Sequence, residues 1–554
     1  MAFNPPEGPQ HEGRGVGFDG LTEDRFEGAA QTFGRGQTFM DKVDADQFSH
    51  LMKENLYYPF ASRSEWKFAL WLLHSGLSMS AIDDFLSLGL VQKLSLSFHT
   101  AKDLCYRVDH AGGQWKFQSP SCIQQSPPSI SRFHSLPCLS GDNAWEMQIP
   151  EGATLLGTIL SSDKMNITTL SGSRVAHPLL IGLANIKMST RLKLSLHSLM
   201  LTALLPVPKF IHKNKCMRGL LEDRLIHQCL DIVLDPLKRA ARLGTMLPDS
   251  MGLMWYCFTP IASYIADMPE AMMLAAVGGK TSPLTMAMLK QFRDPFQHEP
   301  RTRTTTLAQL SAAKSKVDPA NIEAFFCEAQ HFRLNRVSGP FWMDYPLSCP
   351  GSFLTPELLH HLHKQFWDHD AKWCINVVGD AKIDFRFSVL QPVAGFRHFK
   401  GSITKLKQVT GCVHRDVQHY MVAIISGPAP AGIVTAIHTL MDFQYRIQAY
   451  RIDDNDLQII SAALSEFHAN KDSIIEHGAW RDQEQKAAIN NWYIPKLELM
   501  QSIVLSIHRV GVVIQFTVDI TEHAHSMEIK IPAGSSNNNN YILTVWRSAG
   551  VLTS

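Results

Sequence analysis

Gly157-Thr-Ile-Leu-Ser-Ser-Asp-Lys164 is an apolar, β-branched run that stops on a carboxylate. Such a run predicts a buried strand, and a strand ending on Asp is a rigid mount for a metal-binding acid. Whether it makes a site depends on which other carboxylates join Asp163. Outward from it, residues 153–186 read as strand-rich, with a second strand near Pro178–Ile186. Leu199–Val207 fits either a strand or a buried helix. Leu220–Leu243 has a helical period, interrupted at Asp235-Pro236, where proline kinks or restarts a helix. Gly244-Thr-Met-Leu-Pro-Asp249 then reads as a short strand or turn delivering a second acid.

The chain has 554 residues, too many for one core and enough for two to four domains. Its net charge of +1 gives no whole-chain argument for nucleic acid, so any electrostatic footprint must be local. The ten cysteines include no CxxC pair, which fits free thiols in a reducing compartment and argues against zinc fingers. The polar start MAFNPPEGPQHEGRG has no apolar signal core, and no apolar run reaches membrane-spanning length. The expected location is nucleus or cytoplasm, not secreted and without a membrane partner.

Residues 1–50 read as a disordered Gly-rich leader, and 51–117 as an N-terminal helical region. Within it, Ser64–His74 and a second helix through Ile82, Phe85 and Leu86 flank a short turn, with Ser80 and Asp83 as a capping box. That pair fits a plain helical hairpin better than a DNA-reading one, because its second helix carries two acids and no exposed Arg or Lys. Residues 118–145 form a Ser/Pro-rich linker. The stretch from about 280 to 350 is loop-rich, and a helix starts at Thr355-Pro356-Glu357 with Thr as its cap. Residues 414–475 look mostly helical, Val510–Ile520 reads as strand, and 542–554 as an irregular tail. Trp66, Trp71, Trp342, Trp367 and Trp373 are expected in cores.

Between Lys187 and Gly244 stand eleven Lys/Arg against four Asp/Glu. A phosphate backbone and a solvated helix face account for this equally well. Candidate DNA contacts are Lys164, Arg191, Lys193, Lys213 and Lys215, with Arg397 and His398 further on. Glu357, His360, His361 and His363 invite a metal reading, but the HExxH order is absent, and packing, hydrogen bonding or backbone contact explains them better.

Two-metal nucleotidyl transfer needs two or three converging carboxylates holding divalent ions roughly 4 Å apart. Magnesium prefers such hard oxygen ligands. Asp163 and Asp249 fit the first two positions. An ordered series of segments then resembles the Plavaka-type transposases of fungal DNA transposons. It includes Pro59–Leu73, Leu160-Ser-Ser-Asp-Lys164, Pro178–Ile186, Ile261-Ala-Ser-Tyr-Ile-Ala-Asp-Met-Pro-Glu270, Phe341-Trp-Met-Asp344, Leu354–Lys364, Gly395–Gly401 and Thr521-Glu-His-Ala-His525.

The resemblance implies a DDE transposase with an α/β (α+β) fold. A ribonuclease-H-like mixed sheet core would run over 146–275 and 506–541, interrupted by a mostly helical insertion at 276–505. It implies Asp163, Asp249 and Glu522 as catalytic, metal-binding acids, with Mg2+ or Mn2+ as cofactor. Transposon ends and target DNA would be the partners, with a homo-oligomer as a further expectation. His523 and His525 would flank the third acid, orienting it or touching phosphate.

The chain also departs from that pattern. Pro248-Asp249-Ser-Met-Gly252 replaces the usual Asp-Gly pair, Ala276–Thr285 lacks the thiols of a cysteine knuckle, and little fold-like sequence follows Tyr541. The alternatives to an active enzyme are a catalytically inactive DNA-binding relic and a helical scaffold without nucleic-acid function.

Overall fold

The structure is a computed structural model. It describes residues 15–16, 22–23, 30–110 and 150–534, apart from 39–40, 42–43, 46, 76, 168–173, 347, 400, 407–410 and 483–486. The expected linker at 118–145 and tail at 542–554 lie outside the described residues. The described strands are β1 (Gly15–Val16), β2 (Thr22–Glu23), β3 (Thr32–Arg35), β4 (Thr154–Leu155), β5 (Thr158–Ser162), β6 (Met165–Asn166), β7 (Val175–Leu183), β8 (Met200–Leu205), β9 (Thr245–Pro248), β10 (Leu253–Phe258) and β11 (Ile261–Ile265).

The central sheet runs β11–β5–β7, with β8 and β6 both on β7. β5 is parallel to β11 and antiparallel to β7, and β7 is antiparallel to β8, which settles Leu199–Val207 as strand. Beyond β11, one parallel bridge joins Tyr264 to Leu354. Burial on both faces of β5 removes the alternation of a half-exposed strand. Successive residues Ile159 and Leu160 enter different clusters. Ile159 packs with Ile265, Val510, Phe516 and Val518, whereas Leu160 packs with Leu179, Ile226, Leu230, Tyr264 and Trp342.

A smaller sheet joins β3, β10 and β4, with β9 on β10. Its β4 and β10 feed directly into β5 and β11. Leu156 N–H bonds to the carbonyl of Phe258 at 2.7 Å, and Thr158 N–H to that of Pro260 at 2.8 Å. β3 falls inside the expected leader, so Thr32–Arg35 corrects that reading: it is ordered by pairing with β10.

The helices Lys215–Val233 and Asp235–Leu243 break at Leu234, where Pro236 opens the second. Residues 276–354, expected inside the insertion, pack against the central sheet through Val277, Leu284, Val337, Phe341, Trp342, Tyr345 and Phe353. A separate helical core begins at Leu358 and extends to Val513, including the helices Gly411–Ile425, Ala431–Arg446 and Asp454–Asn470. The chain then returns to the sheet. Helix Val518–His525 and the turns after it place Ile520, Ala524, Ile529 and Ala533 on Met165, Ala176, Leu180, Leu199 and Leu201.

Several local expectations are corrected. Val510–Ile520 is no strand: Gly511, at φ +79°, ends helix Ile503–Val510, and a 3₁₀ turn and helix follow. An apolar run buried on all sides carries no period to separate the two forms. Glu357, not Thr355, caps the Leu358–His363 segment, because the Thr355 hydroxyl is engaged with that of Ser263 at 2.7 Å. The second N-terminal helix is capped by Ser78, and Asp83 instead accepts the N–H of Ala101 at 2.7 Å. Trp71 is 55% exposed, whereas Trp66, Trp342 and Trp373 are buried. Among the described residues no single helix is long and apolar enough to cross a membrane.

Candidate active site

Asp163 is the first residue past β5, and Asp267 lies just past β11. Ser161 pairs with Ile265 in parallel register. Counting two residues on from each puts Asp163 and Asp267 at matching positions beyond the ends of neighbouring strands, whose axes lie about 4.8 Å apart. The two acids act on each other electrically. Burial, with the charges of Glu270 and Asp267, pushes the Asp163 carboxyl up to about 6 against the opposing pull of His360 and His177. Asp267 is also raised, chiefly by burial and then by Glu270 and Glu357, although the N–H of Glu270 donates to its Oδ1 at 2.9 Å.

Beneath these acids lies a buried polar network. Asp267 caps helix Met268–Leu274, Pro269 stands in its first turn, and Glu270 follows, turned into the core. The Glu270 carboxylate receives the Ser162 hydroxyl and contacts Nε2 of His177 at 2.8 Å. Tyr264 and Ser162 share a hydroxyl bond of 2.8 Å. Burial alone would raise Glu270. Its bonds from His177 and Ser162 outweigh that and hold it below the usual carboxylate range. The network therefore keeps a negative charge under the acid pair and fixes the ends of three neighbouring strands.

Above the acids stands His360. Its Nδ1 lies 3.2 Å from Glu357, which is fully buried and accepts the N–H groups of Leu359, His360 and His361. Burial works against the imidazolium, but Glu357, Asp163 and Asp267 outweigh it and raise the pKa to about 9. His360 is thus a cation facing two carboxylates. His361 is held neutral by burial at about 4, and His363 contacts Gln418 at 3.1 Å, so the histidine run divides by orientation.

Asp249 is held in a different setting from Asp163 and Asp267. It occupies the β9–β10 hairpin, where its carboxylate accepts the N–H groups of Met251 (2.8 Å) and Leu253 (2.9 Å) and the Trp255 indole (3.1 Å). The slight burial that would raise it is outweighed by these bonds, and its pKa is lowered. It sits level with Leu253, at the far end of the β10–β11 path from Asp267. That path, about 14 residues at ~3.3 Å each, would span roughly 45 Å if straight. Glu522 is exposed on helix Val518–His525 and is not among the groups that act most strongly on Asp163. His525 on the same helix is buried, near Glu270 and His177, and held at about 4 by desolvation, while His523 is half-buried.

The expected DNA contacts also divide. Arg191 is a structural residue: it is 2% exposed, and its guanidinium donates to the carbonyls of Ala184 (2.9 Å) and Ile186 (3.3 Å) and to Gln515 (2.8 Å). Lys164 is exposed but paired with Glu222. Arg397 is exposed, with its guanidinium 5.5 Å from the Phe399 ring, and His398 is half-buried beside it. Lys193, Lys213 and Lys215 are exposed. Within the basic stretch, Lys238 is buried between Asp231 and Asp344, and Arg224 bonds to the carbonyls of Pro319 and Arg336.

The acid pair offers hard oxygen donors, as a divalent cation requires, and their raised pKa values reflect chiefly burial, with nearby negative charge adding to it. Among the described residues, no group of three or more His, Cys, Asp or Glu is assembled for metal binding. Sequence reasoning quoted Asp267 only within a family segment and weighed His360 for metal binding or packing, and it assigned neither to a site with Asp163. The signal for Asp267 was present: Ile261-Ala-Ser-Tyr-Ile-Ala-Asp267 is a second β-branched run ending on an acid.

No curated protein matches the chain. Residues 113–374, which contain Asp163, Asp267, Glu357 and His360, match the model of the Plavaka transposase family.

Proposed function

We propose that this transposase-derived protein cleaves and transfers DNA strands at the ends of β5 and β11, with Asp163 and Asp267 as the first two acids of a ribonuclease-H-like core. The observation that carries this reading is their matched register on adjacent parallel strands. The order β8–β7–β5–β11, with only β11 parallel to β5, supports the same core. Mg2+ or Mn2+ is the fitting cofactor, because magnesium is commonly held by one or two carboxylates together with substrate phosphates. Bound there, the ion would supply charge neutralisation at the phosphodiester and a more acidic water.

The chain's own residues do the rest. Ser162, Glu270 and His177 hold the strand ends, so the acid oxygens are oriented before substrate arrives. His360, protonated at neutral pH, offers a positive charge beside the acids and suits a phosphate oxygen. Asp163 carries a proton below about pH 6, which competes with a metal ion for the same oxygens. A second reading, a DNA-binding relic that no longer cuts, is favoured by the exposed position of Glu522.

The test is nicking of supercoiled plasmid by the full chain in Mg2+ or Mn2+. We expect nicking that EDTA abolishes and that Asp163→Asn and Asp267→Asn each reduce at least a hundredfold. Nicking unchanged in either variant would overturn the assignment. DNA binding without nicking in both metals would select the relic.

A further inference from the structure

The sequence contains no Asp or Glu between Asp163 and Glu222, while nine Lys/Arg fall in that interval. Among the described residues, three of its exposed lysines fall in or beside one segment, the loop 206–214 between β8 and helix Lys215–Val233. At its tip Ile211 has a relative exposure of 104%, the highest among the described large apolar side chains. Lys209, Lys213 and Lys215 surround it, all exposed. The tip is a built turn: the Asn214 N–H donates to Nδ1 of His212 at 3.1 Å. The helix that follows opens with Lys215 and Arg218 and has no acid in its first turn. Cations at the positive end of a helix dipole are mutually unfavourable, and an anion there relieves both.

The loop is tied to the acid pair. Glu222, seven residues into the helix, pairs with Lys164, the neighbour of Asp163. Seven residues rise about 10 Å. With the two side chains added, the start of the helix lies at most about 30 Å from Asp163, under ten base pairs at ~3.4 Å each. Singly exposed apolar residues are ordinary on a protein surface. One held fully in solvent at the tip of an acid-free cationic turn, on the helix tied to the acid pair, matches the apolar wedge by which proteins unstack a base step while their cations hold the flanking phosphates.

We propose that loop 206–214 is a DNA wedge: Ile211 inserts between base pairs beside the strand to be cut, and Lys209, Lys213 and Lys215 grip the adjoining phosphates. This rests on the proposed action on DNA and adds how the duplex is distorted there. Flexible pyrimidine–purine steps are the ones such a wedge opens most easily.

The experiment uses the full chain in EDTA with a 30-base-pair mixed-sequence duplex carrying 2-aminopurine at central TA steps. Wild type should bind and raise the 2-aminopurine fluorescence severalfold. Ile211→Ser should bind within about twofold of wild type yet lose at least half of that rise. Replacing Lys209, Lys213 and Lys215 together by Ala should weaken binding and reduce the salt slope by about 2–3, at ~0.9 per phosphate. A full fluorescence rise in Ile211→Ser, or none in wild type despite binding, overturns the wedge. Metal-dependent nicking retained alongside either result leaves the proposed function standing, so the two failures are distinguishable. No duplex binding by wild type at low salt overturns both.

Discussion

Asp163→Asn should stabilise the protein at neutral pH and have no effect near pH 4. The folded protein raises this carboxyl from 3.8 to about 6, mainly through burial. A raised carboxyl pKa means that the native state holds the proton more tightly than the unfolded chain. Stability therefore falls as pH rises from about 4 through about 6, and the full penalty is present at pH 7. At ~1.4 kcal/mol per pH unit, the displacement corresponds to about 3 kcal/mol, and partial exposure reduces the usable figure to about 1–2 kcal/mol. Asn keeps the shape of the protonated acid without the charge. Melting temperatures of both proteins, measured in EDTA from pH 4 to 8, should coincide at the acid end and separate above pH 6. The separation should be roughly 2–8 °C in favour of Asn, at ~2–4 °C per kcal/mol. Adding Mg2+ or Mn2+ should then narrow the gap, because only wild type gains binding energy. An ion at ten times its dissociation constant contributes ~1.4 kcal/mol. Parallel melting curves across the whole range would refute the argument that Asp163 is a desolvated acid coupled to Asp267 and Glu270.

Two further variants separate site from scaffold. Asp249→Ala removes three hydrogen bonds within the β9–β10 hairpin and should lower stability by about 1–2 kcal/mol in urea unfolding. Metal-dependent nicking should stay within about twofold once corrected for folded fraction. Arg191→Met leaves buried carbonyls and Gln515 without their donor and should lower stability by about 2–4 kcal/mol. Its DNA affinity at low salt should be unchanged at equal folded fraction.

The sheet was legible where side-chain chemistry is strong and local. The β-branched run before Asp163 predicts β5, Pro178–Ile186 overlaps β7, and Pro236 marks the helix break. The choice of Asp249 as second acid rested on an Asp after a short strand, which looks alike at a hairpin and at a sheet end. What distinguishes Asp249 from Asp267 is pairing: one strand folds back on β10, while the other lies parallel to β5, about 100 residues away in sequence. The histidine run drew attention to His360, but its charge was not legible, since the buried Glu357 and the distant Asp163 and Asp267 supply it. Arg191 misled for the opposite reason. A basic residue in a basic stretch suggests solvent and phosphate, and its carbonyl partners become visible only when the chain returns at Gln515.

That late return has a consequence for how the molecule is made. The sheet face formed by Met165, Ala176, Leu180, Leu199 and Leu201 is closed by Ile520, Ala524 and Ile529. A ribosome adding ~5–20 residues per second needs about 15–60 s to travel the roughly 310 residues from β8 to that helix. Throughout that interval an apolar face beside the acid pair stands open on the nascent chain, a binding surface for holdase chaperones and a hazard for pairing with a neighbouring copy. Assembly of the site is thus timed by the arrival of a segment that contributes none of its paired acids.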